Sequence, residues 1–312
     1  MATQQRHATA LRTAVQSDPE AIDHEVVESC FDAERASDRT TALQAVSVLA
    51  THDLEQALEY TDRVYTRLTD DVLAVQSAAA MAALCLARER PESMVEAIPS
   101  LVELLERDPP LLRFRAAGAL APLTESHASA FVPHTDRLLE LLVDGPTVDD
   151  PQEIANDPAL SPAEKTARVS MLTGRGSELS RSRTRSVGTR EVIANILVEL
   201  ARMEPAMCAD RLPVIVPALS DEEAAVRGGA IEFVRHVAED EPDTVAPAID
   251  PLLACLEDEV TFVRARAIRA LGYAEVTVAI DPLRELADSE ESDDVATLAT
   301  ETADWLESEL EG

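Results

Sequence analysis

The sequence is poor in aromatic residues and in glycine. Aromatic residues make up 3% of the 312 residues, so any core must be built from Leu, Val, Ile and Ala. Only 9 residues are glycine, well below the ~7% of an average protein. Because β-rich folds need many tight turns, this shortage favours helices. The hydrophobic content of 46% excludes a mostly disordered chain.

Lysine is almost absent, and acidic residues are in excess. Asp and Glu number 59 against 27 Lys and Arg, which gives a formal net charge of -32, and Lys165 is the only lysine. So much acid repels itself at ordinary ionic strength, whereas at molar salt the Debye length falls to ~3 Å. The composition predicts an intracellular, halophilic protein from a salt-accumulating cell; an acidic mesophilic scaffold is the alternative.

Signals for export, membrane insertion and disulfide formation are missing. The four cysteines lie far apart in the sequence, which is typical of buried thiols in a reducing compartment. The first ten residues, MATQQRHATA, contain no apolar run that would indicate a signal peptide. The longest uncharged stretch, residues 72–87, is too short and too rich in Ala for a membrane span. We expect a cytoplasmic protein with no membrane contact.

Residue sets that catalysis requires are also missing. Only one of the six histidines, His24, is followed by Glu, and no phosphate-binding loop of the G-x-x-x-x-G-K type is present. No nucleophile, base and orienting group can be assembled from the sequence. We therefore predict that the protein is not an enzyme and has no cofactor and no metal site.

A repeat organises the chain instead. Asp221 and Asp258 lie 37 residues apart, and each follows one apolar helical segment and precedes another. We call the residue at this place the turn position. Steps of the same length from Arg107, another turn position, lead back to Asp70 and Ala33 and forward to Asp144. The sixth residue after the turn position is nearly always arginine. These residues are Arg39, Gln76, Arg113, Arg227 and Arg264.

The fourth repeat is interrupted. Its second helix, predicted from Thr189, has Arg190 in the arginine position, which displaces the turn position to residue 184, 40 residues after Asp144. We therefore predict an acidic and then Arg-rich insertion at residues 145–186. Within it, Ser161 and Glu164 form a capping-box pattern that starts a short helix ending near Thr173. A seventh, degenerate repeat has its turn position near Asp288.

The repeated pattern resembles the HEAT-repeat family of α-solenoids, including phycobilisome-lyase-like and armadillo-type proteins. The residues that carry the resemblance are Asp258, Val263, Arg264, Ala267, Ala270, Leu271 and Gly272. The resemblance implies an all-α, right-handed superhelix of about seven helix pairs, a single solenoid over residues 1–312. It also implies a non-catalytic protein–protein scaffold, with a lyase-type accessory role as an alternative by analogy alone.

In HEAT arrays the second helices line the concave face, so arginines on these helices are candidates for partner binding. The candidates on second helices are Arg113, Arg115, Arg227, Arg235, Arg264, Arg266 and Arg269; those in and beside the insertion are Arg175, Arg181, Arg183, Arg185 and Arg190. The alternative is that they pair structurally, Arg227 with Asp221 and Arg264 with Asp258, in a ladder of carboxylate–guanidinium bonds between adjacent turns. For the insertion, the alternative is a solvated loop that pairs with its own acidic half.

We expect the partner to be another protein that binds along the concave face through an acidic or helical segment, with the insertion as a second contact. Nucleic acid is a disfavoured alternative, because the insertion has no aromatic residue for stacking and charge-only contacts weaken at high salt. Phe114 and Tyr273 either project from the second helices or pack in the core. Gly228 and Gly229 predict a close approach, of a neighbouring helix or of a partner.

Overall fold

The computed structural model describes residues 2–145, 161, 162, 164–166 and 176–311. All regular structure in these ranges is helical, and they contain no strand. The α-helices are α1 (Ala2–Ser17), α2 (His24–Phe31), α3 (Ala36–His52), α4 (Leu54–Leu58), α5 (Thr61–Leu68), α6 (Leu73–Glu89), α7 (Ile98–Leu104), α8 (Pro110–Leu120), α9 (Thr135–Asp144), α10 (Gly176–Met203), α11 (Pro205–Ala209), α12 (Leu212–Ile215), α13 (Ala224–Asp240), α14 (Ile249–Ala254), α15 (Thr261–Tyr273), α16 (Ile280–Ser289) and α17 (Asp293–Glu311).

Short 3-10 segments lie next to several of the α-helices, in most cases next to the first helix of a repeat. They are Pro19–Ala21, Pro91–Ala97, Ala121–Leu123, Ala128–His134, Val216–Ser220, Pro242–Ala248, Cys255–Glu257 and Thr277–Ala279. Three of these segments begin with a proline, whose missing N–H costs least in the first turn of a helix. Asp23 and Asp53 cap α2 and α4, since each side chain accepts a hydrogen bond from the backbone N–H three residues later.

The chain divides into two compact units, residues 1–127 with 146–189 and residues 128–145 with 190–312. In unit 1, the second helices α3, α6 and α8 contact one another in sequence order. In unit 2, the second helices α13, α15 and α17 do the same. Counted over the described residues, seven helix pairs follow α1, as the repeat predicts. Their second helices are α3, α6, α8, α10, α13, α15 and α17.

Each pair buries its apolar residues against its neighbours. Leu101, Leu104 and Leu105 are buried, and so are Ile193 and Leu197, as their helical spacing predicts. Each fully buried side chain of this size contributes about 1.5–3 kcal/mol. A single helix pair has nowhere to bury these residues, so stability depends on stacking between neighbours.

The fourth pair differs from its prediction at one end. Its second helix, α10, begins at Gly176 and not near Thr189, so the Arg-rich residues 176–188 are helical. This segment contains no proline, and it adds turns to a helix that already exists, which avoids the cost of a new nucleus. The capping box is confirmed, because Ser161 and Glu164 exchange hydrogen bonds between backbone N–H groups and side chains. The predicted helix end near Thr173 lies outside the described residues.

Candidate functional site

The arginine in the sixth position after the turn joins two successive repeats. Arg227 donates from Nε and Nη2 to the carboxylate of Asp258 in the next repeat, at 2.6 and 2.8 Å. Its Nη1 donates to the carbonyl of Asp221 in its own turn, at 2.8 Å. One guanidinium therefore satisfies a helix-end carbonyl and forms a bidentate ion pair.

The same rung recurs along both units. Arg39 pairs with Asp70 at 2.9 and 2.8 Å in unit 1. In unit 2, Arg264 pairs with Glu290 at 2.6 Å to each oxygen, and Arg190 pairs with Asp221. We call these four pairs the arginine ladder. In each rung the acid also accepts a hydrogen bond from a backbone N–H two residues later, which holds its carboxylate in place.

The rung between the second and third repeats is absent from the described residues for a physical reason. The turn position of the third repeat is Arg107, which has no carboxylate to offer, and the preceding repeat has Gln76 in place of arginine. Gln76 still donates to the carbonyl of its own turn residue, Asp70, at 2.7 Å. Arg113 pairs with Asp108 of its own repeat at 2.7 Å. In the seventh repeat the acid of the rung is Glu290, two residues after the expected Asp288.

The ladder changes the pKa values of its acids. Burial alone would raise the pKa of Asp258, but the hydrogen bonds from Arg227 and from the Val260 N–H outweigh it, so the pKa lies below its ordinary value. The pKa of Asp70 is lowered in the same way, by Arg39 and a backbone N–H. The hydrogen bond from Arg264 lowers the pKa of Glu290. These carboxylates are therefore ionised at neutral pH.

Four of the candidate arginines are thus engaged within their own units. They are Arg113, Arg190, Arg227 and Arg264. Their guanidinium groups are mostly buried, with Arg113 only 3% exposed. These four side chains are therefore occupied within the fold.

The remaining arginines of unit 2 lie around exposed aromatic rings. Arg235 lies 5.5 Å from the ring centre of Tyr273 and pairs with Glu232 and Glu239. Arg266 lies 5.3 Å from the ring centre of Phe262. Arg269 is exposed and makes no hydrogen bond or ion pair with the residues that the structure describes.

Helix α15 presents these groups as one stripe. Phe262, Arg266, Arg269 and Tyr273 follow one another at steps of four, three and four residues, so they share one side of the helix. Phe262 is 45% exposed and Tyr273 is 49% exposed. Together with Trp305 on α17, which is 41% exposed, we call them the terminal face. Tyr273 therefore projects from its helix, one of the two alternatives that the sequence left open.

A groove of about 370 Å³ lies on the terminal face between α15 and α17. The two helices approach closely here, because a Cβ placed on Gly272 would lie 3.0 Å from the methyl group of Thr302. The groove is lined by Arg269, Gly272, Tyr273, Leu298, Glu301, Thr302 and Trp305. The sequence analysis singled out neither Phe262 nor Trp305. The helical spacing of residues 262, 266, 269 and 273 was the available signal for Phe262.

The Arg-rich candidates of unit 1 are spread along α10. Arg181 and Arg183 are exposed and Arg185 is half-buried, whereas Arg175 lies outside the described residues. Arg115 on α8 donates to the carbonyl and hydroxyl oxygens of Ser77, at 2.9 and 2.7 Å. Beside it, Phe114 is 40% exposed and therefore does not pack in the core.

The described residues contain neither a metal-binding cluster nor a membrane-spanning helix. No group of three or more His, Cys, Asp or Glu side chains in the part of the chain that the structure covers is arranged to hold a metal ion. Likewise, none of the helices given above combines the length and apolar character of a membrane span.

The comparisons with known proteins agree with this architecture. Residues 212–303 match the family model described as HEAT repeats. No curated protein matches the chain. A designed armadillo repeat protein in complex with the peptide (KR)4 is similar in structure, with a TM-score of 0.55 at 16% identity over 80% of this chain and 98% of that one. Computationally designed armadillo repeat proteins for modular peptide recognition give 0.53 at 17% identity over 84% and 99%.

Such low identities establish the fold alone. The described part of the chain has the fold of HEAT/armadillo-type α-solenoids, and the predicted all-α fold class is confirmed. Within it, residues 212–303 are the part that the HEAT-repeat family model matches.

Proposed function

We propose that this protein is a non-catalytic scaffold that binds a segment of another protein on the terminal face. The observation that carries the proposal is the exposure of three large aromatic side chains, Phe262, Tyr273 and Trp305, on neighbouring second helices. The chain has only nine aromatic residues, and three of them are exposed together on this face instead of being buried. Exposed apolar patches with a polar rim typically mark interaction sites.

The residue types on this face suit a tight contact. Tyr, Trp and Arg are the residues most enriched in the energetic centres of protein interfaces. Arg235 and Arg266 already lie over aromatic rings, so the side chains are partly ordered before binding. Such pre-organisation lowers the entropy cost of association. An apolar side chain of the partner would enter the groove between Tyr273 and Trp305.

The charge of the face suggests the chemistry of the partner. Arg269 has no carboxylate among the described residues, although acids outnumber cations by more than two to one in the chain. A carboxylate of the partner, next to the apolar side chain that enters the groove, would form an ion pair with the guanidinium of Arg269. We therefore propose an acidic segment, extended or helical. That designed armadillo proteins of similar fold recognise peptides supports a protein partner in general.

A nucleic acid fits this face less well. Glu301 lines the groove, Glu232 pairs with Arg235 and Arg266, and the whole chain carries a net charge of -32. A polyanion would be repelled by this field, whereas a short acidic segment carries few charges. A lyase-type role has no supporting set of residues in the described part of the chain.

The test is a native capture in molar KCl from a lysate of the source organism. The wild type, the double variant Tyr273→Ser/Trp305→Ser and the control Val278→Ser are immobilised as full chains. Val278 is 67% exposed but lies outside the terminal face, so its variant also removes an exposed apolar side chain. We expect one protein, captured in a constant stoichiometric ratio by the wild type and the control, to be lost from the double variant. Equal capture by all three would contradict the proposal.

A further inference from the structure

A second groove of unit 2 lies between the first helices of the sixth and seventh repeats. Its volume is about 550 Å³, and it shares no lining residue with the groove of the terminal face. Apolar side chains form part of its lining: Leu256 is buried, whereas Leu253, Pro282 and Leu286 are half-buried and present apolar surface to the groove. We call it the acidic groove, because of the side chains that border this apolar surface.

The acids of this groove exceed its cations. Glu257, Glu259, Glu285 and Glu291 line it and are exposed, and none of the four makes an ion pair in the part of the chain that the structure describes. Among the described residues, the only cation in the lining is Arg264, whose guanidinium is already engaged by Glu290. The lining therefore has negative charge that no cation of the groove neutralises.

The acidic groove lies where the repeat is irregular. The rung acids Asp221 and Asp258 are 37 residues apart, whereas Asp258 and Glu290 are only 32 residues apart. Helix α14 has 6 residues and continues as the 3-10 segment Cys255–Glu257, whereas α16 has 10 residues and ends directly at the turn. The two first helices therefore differ in length and geometry, and the groove lies between them.

The chain itself shows which cation suits the acids at this place. Arg264 donates from Nε and Nη2 to the two carboxylate oxygens of Glu290, at 2.6 Å each. Arg227 pairs in the same bidentate way with Asp258, another lining residue. A planar guanidinium matches the two oxygens of a carboxylate, and its hydrocarbon stem can lie on apolar surface. An additional arginine side chain would therefore use both features of the acidic groove.

We propose that the acidic groove binds an arginine side chain from a basic segment of another protein. The hydrocarbon stem would contact Leu253 and Leu286, and the guanidinium would pair with Glu257 or Glu285, which lie on different walls of the groove. Pairs that are partly shielded from water are screened by salt less than pairs on an open surface. This site does not rest on the proposed function, which concerns an acidic segment on the terminal face.

The experiment measures peptide binding by fluorescence anisotropy with the full chain at molar KCl. The probes are a labelled hexapeptide of alternating Gly and Arg and the same peptide with Lys in place of Arg. The site variant is Glu257→Gln/Glu285→Gln. The control Glu222→Gln/Glu241→Gln removes the same charge from two exposed residues of unit 2 outside the groove. The terminal-face variant Tyr273→Ser/Trp305→Ser is measured alongside.

We expect the arginine peptide to bind the wild type, the control and the terminal-face variant with Kd values within twofold of one another. The site variant should bind it at least tenfold more weakly, and the wild type should bind the lysine peptide at least threefold more weakly. Absence of binding to the wild type, or equal affinity of all four proteins, would overturn the proposal. Equal affinity for the two peptides would overturn it too, because net charge alone would then explain the binding.

A second copy of this chain is the competing occupant, since Arg181 in the Arg-rich start of α10 is exposed. Sedimentation of the wild type and of the site variant at molar KCl separates the two occupants. We expect both proteins to sediment as the same species. Self-association of the wild type that the site variant loses would assign the acidic groove to a second copy and overturn the proposed partner.

Thermal unfolding separates binding from folding. Neither Glu257 nor Glu285 belongs to the arginine ladder, and their replacement removes like charges from a chain with a net charge of -32. We expect the site variant to unfold at a temperature no lower than the wild type while losing affinity for the arginine peptide. Loss of affinity only together with a lowered unfolding temperature would assign the two side chains a structural role and contradict the proposal.

Discussion

At the scale of single residues, the arginine of each rung performs two tasks with one side chain. Arg227 satisfies the carbonyl of Asp221 at the end of a first helix and pairs with Asp258 of the next repeat. The side chains of Arg227 and Asp258 are only 11% and 9% exposed. Removal of one partner from such a pair leaves a buried charge uncompensated.

The first prediction concerns this pair. Arg227→Gln is expected to lower the free energy of unfolding by about 3 kcal/mol, as for other buried pairs that lose one partner. The control Arg202→Gln breaks an exposed pair with Glu199 and should cost less than about 1 kcal/mol. Urea unfolding at neutral pH measures both. Equal losses in the two variants would mean that the ladder contributes no more than a surface pair.

The pH dependence of the same variants checks the mechanism. The folded pKa of Asp258 lies below the unfolded value of about 3.9. The ladder therefore stabilises the fold above that unfolded value, and the contribution is lost as pH falls through the folded pKa. The wild type should lose more stability than Arg227→Gln over this acidic range, because the variant has no rung at Asp258 to lose.

The sequence alone could not predict which acid pairs with which arginine in the ladder. The repeated spacing predicts that arginine and acid belong to one ladder. A pair of Asp221 with Arg227 and a pair of Arg227 with Asp258 fit the same spacing equally well. Only the folded chain decides between them, because the choice depends on which turn is adjacent across the stack.

At the scale of helices, Gly228 and Gly229 confirm that a neighbouring helix approaches closely. A Cβ on Gly229 would lie 2.6 Å from the Cβ of Ala194 on α10. A Cβ on Gly228 would instead meet the guanidinium of Arg266 at 2.6 Å and the ring edge of Phe262 at 2.8 Å on α15. The neighbour of Gly229 is fixed by the helix backbone, whereas the neighbours of Gly228 are side-chain ends that can move.

This difference predicts opposite effects of one substitution. Gly228→Ala should stabilise the protein by up to about 1 kcal/mol, the difference in helix propensity between the two residues. Gly229→Ala should destabilise it by about 1–3 kcal/mol, because overpacking between two helices outweighs the gain in propensity. Thermal unfolding of the two variants side by side measures the difference. Similar changes in both variants would contradict the packing described for Gly229.

Helix pairs could be predicted from the apolar spacing, whereas the start of α10 could not. Residues 176–188 are rich in Ser and Arg and have no apolar periodicity, so they indicate a loop. In the structure they continue a helix whose later turns are buried, such as those at Ile193 and Leu197. Tertiary packing at one end of a segment therefore determines the local structure at the other.

At the scale of the whole molecule, a large net negative charge coexists with a few unpaired arginines in the described part of the chain. The net charge of -32 keeps polyanions away at low salt, and molar salt reduces its reach to ~3 Å. Arg269, Arg115 and Arg185 are local exceptions without carboxylate partners among the described residues. In a halophilic cell, as the composition predicts, short-range and hydrogen-bonded contacts would contribute more to binding than long-range charge attraction. That origin stays a prediction, as does the single solenoid over residues 1–312.

The most direct test of the account is photo-crosslinking on the terminal face. A photoreactive benzoylphenylalanine is placed at position 273 or, in a separate protein, at position 278, and each full chain is irradiated in native lysate at molar KCl. Position 273 keeps an aromatic ring, so the face itself is retained. We expect one defined adduct with another protein from position 273 and none from position 278. Equal adducts from both positions, or adducts from position 278 alone, would contradict it.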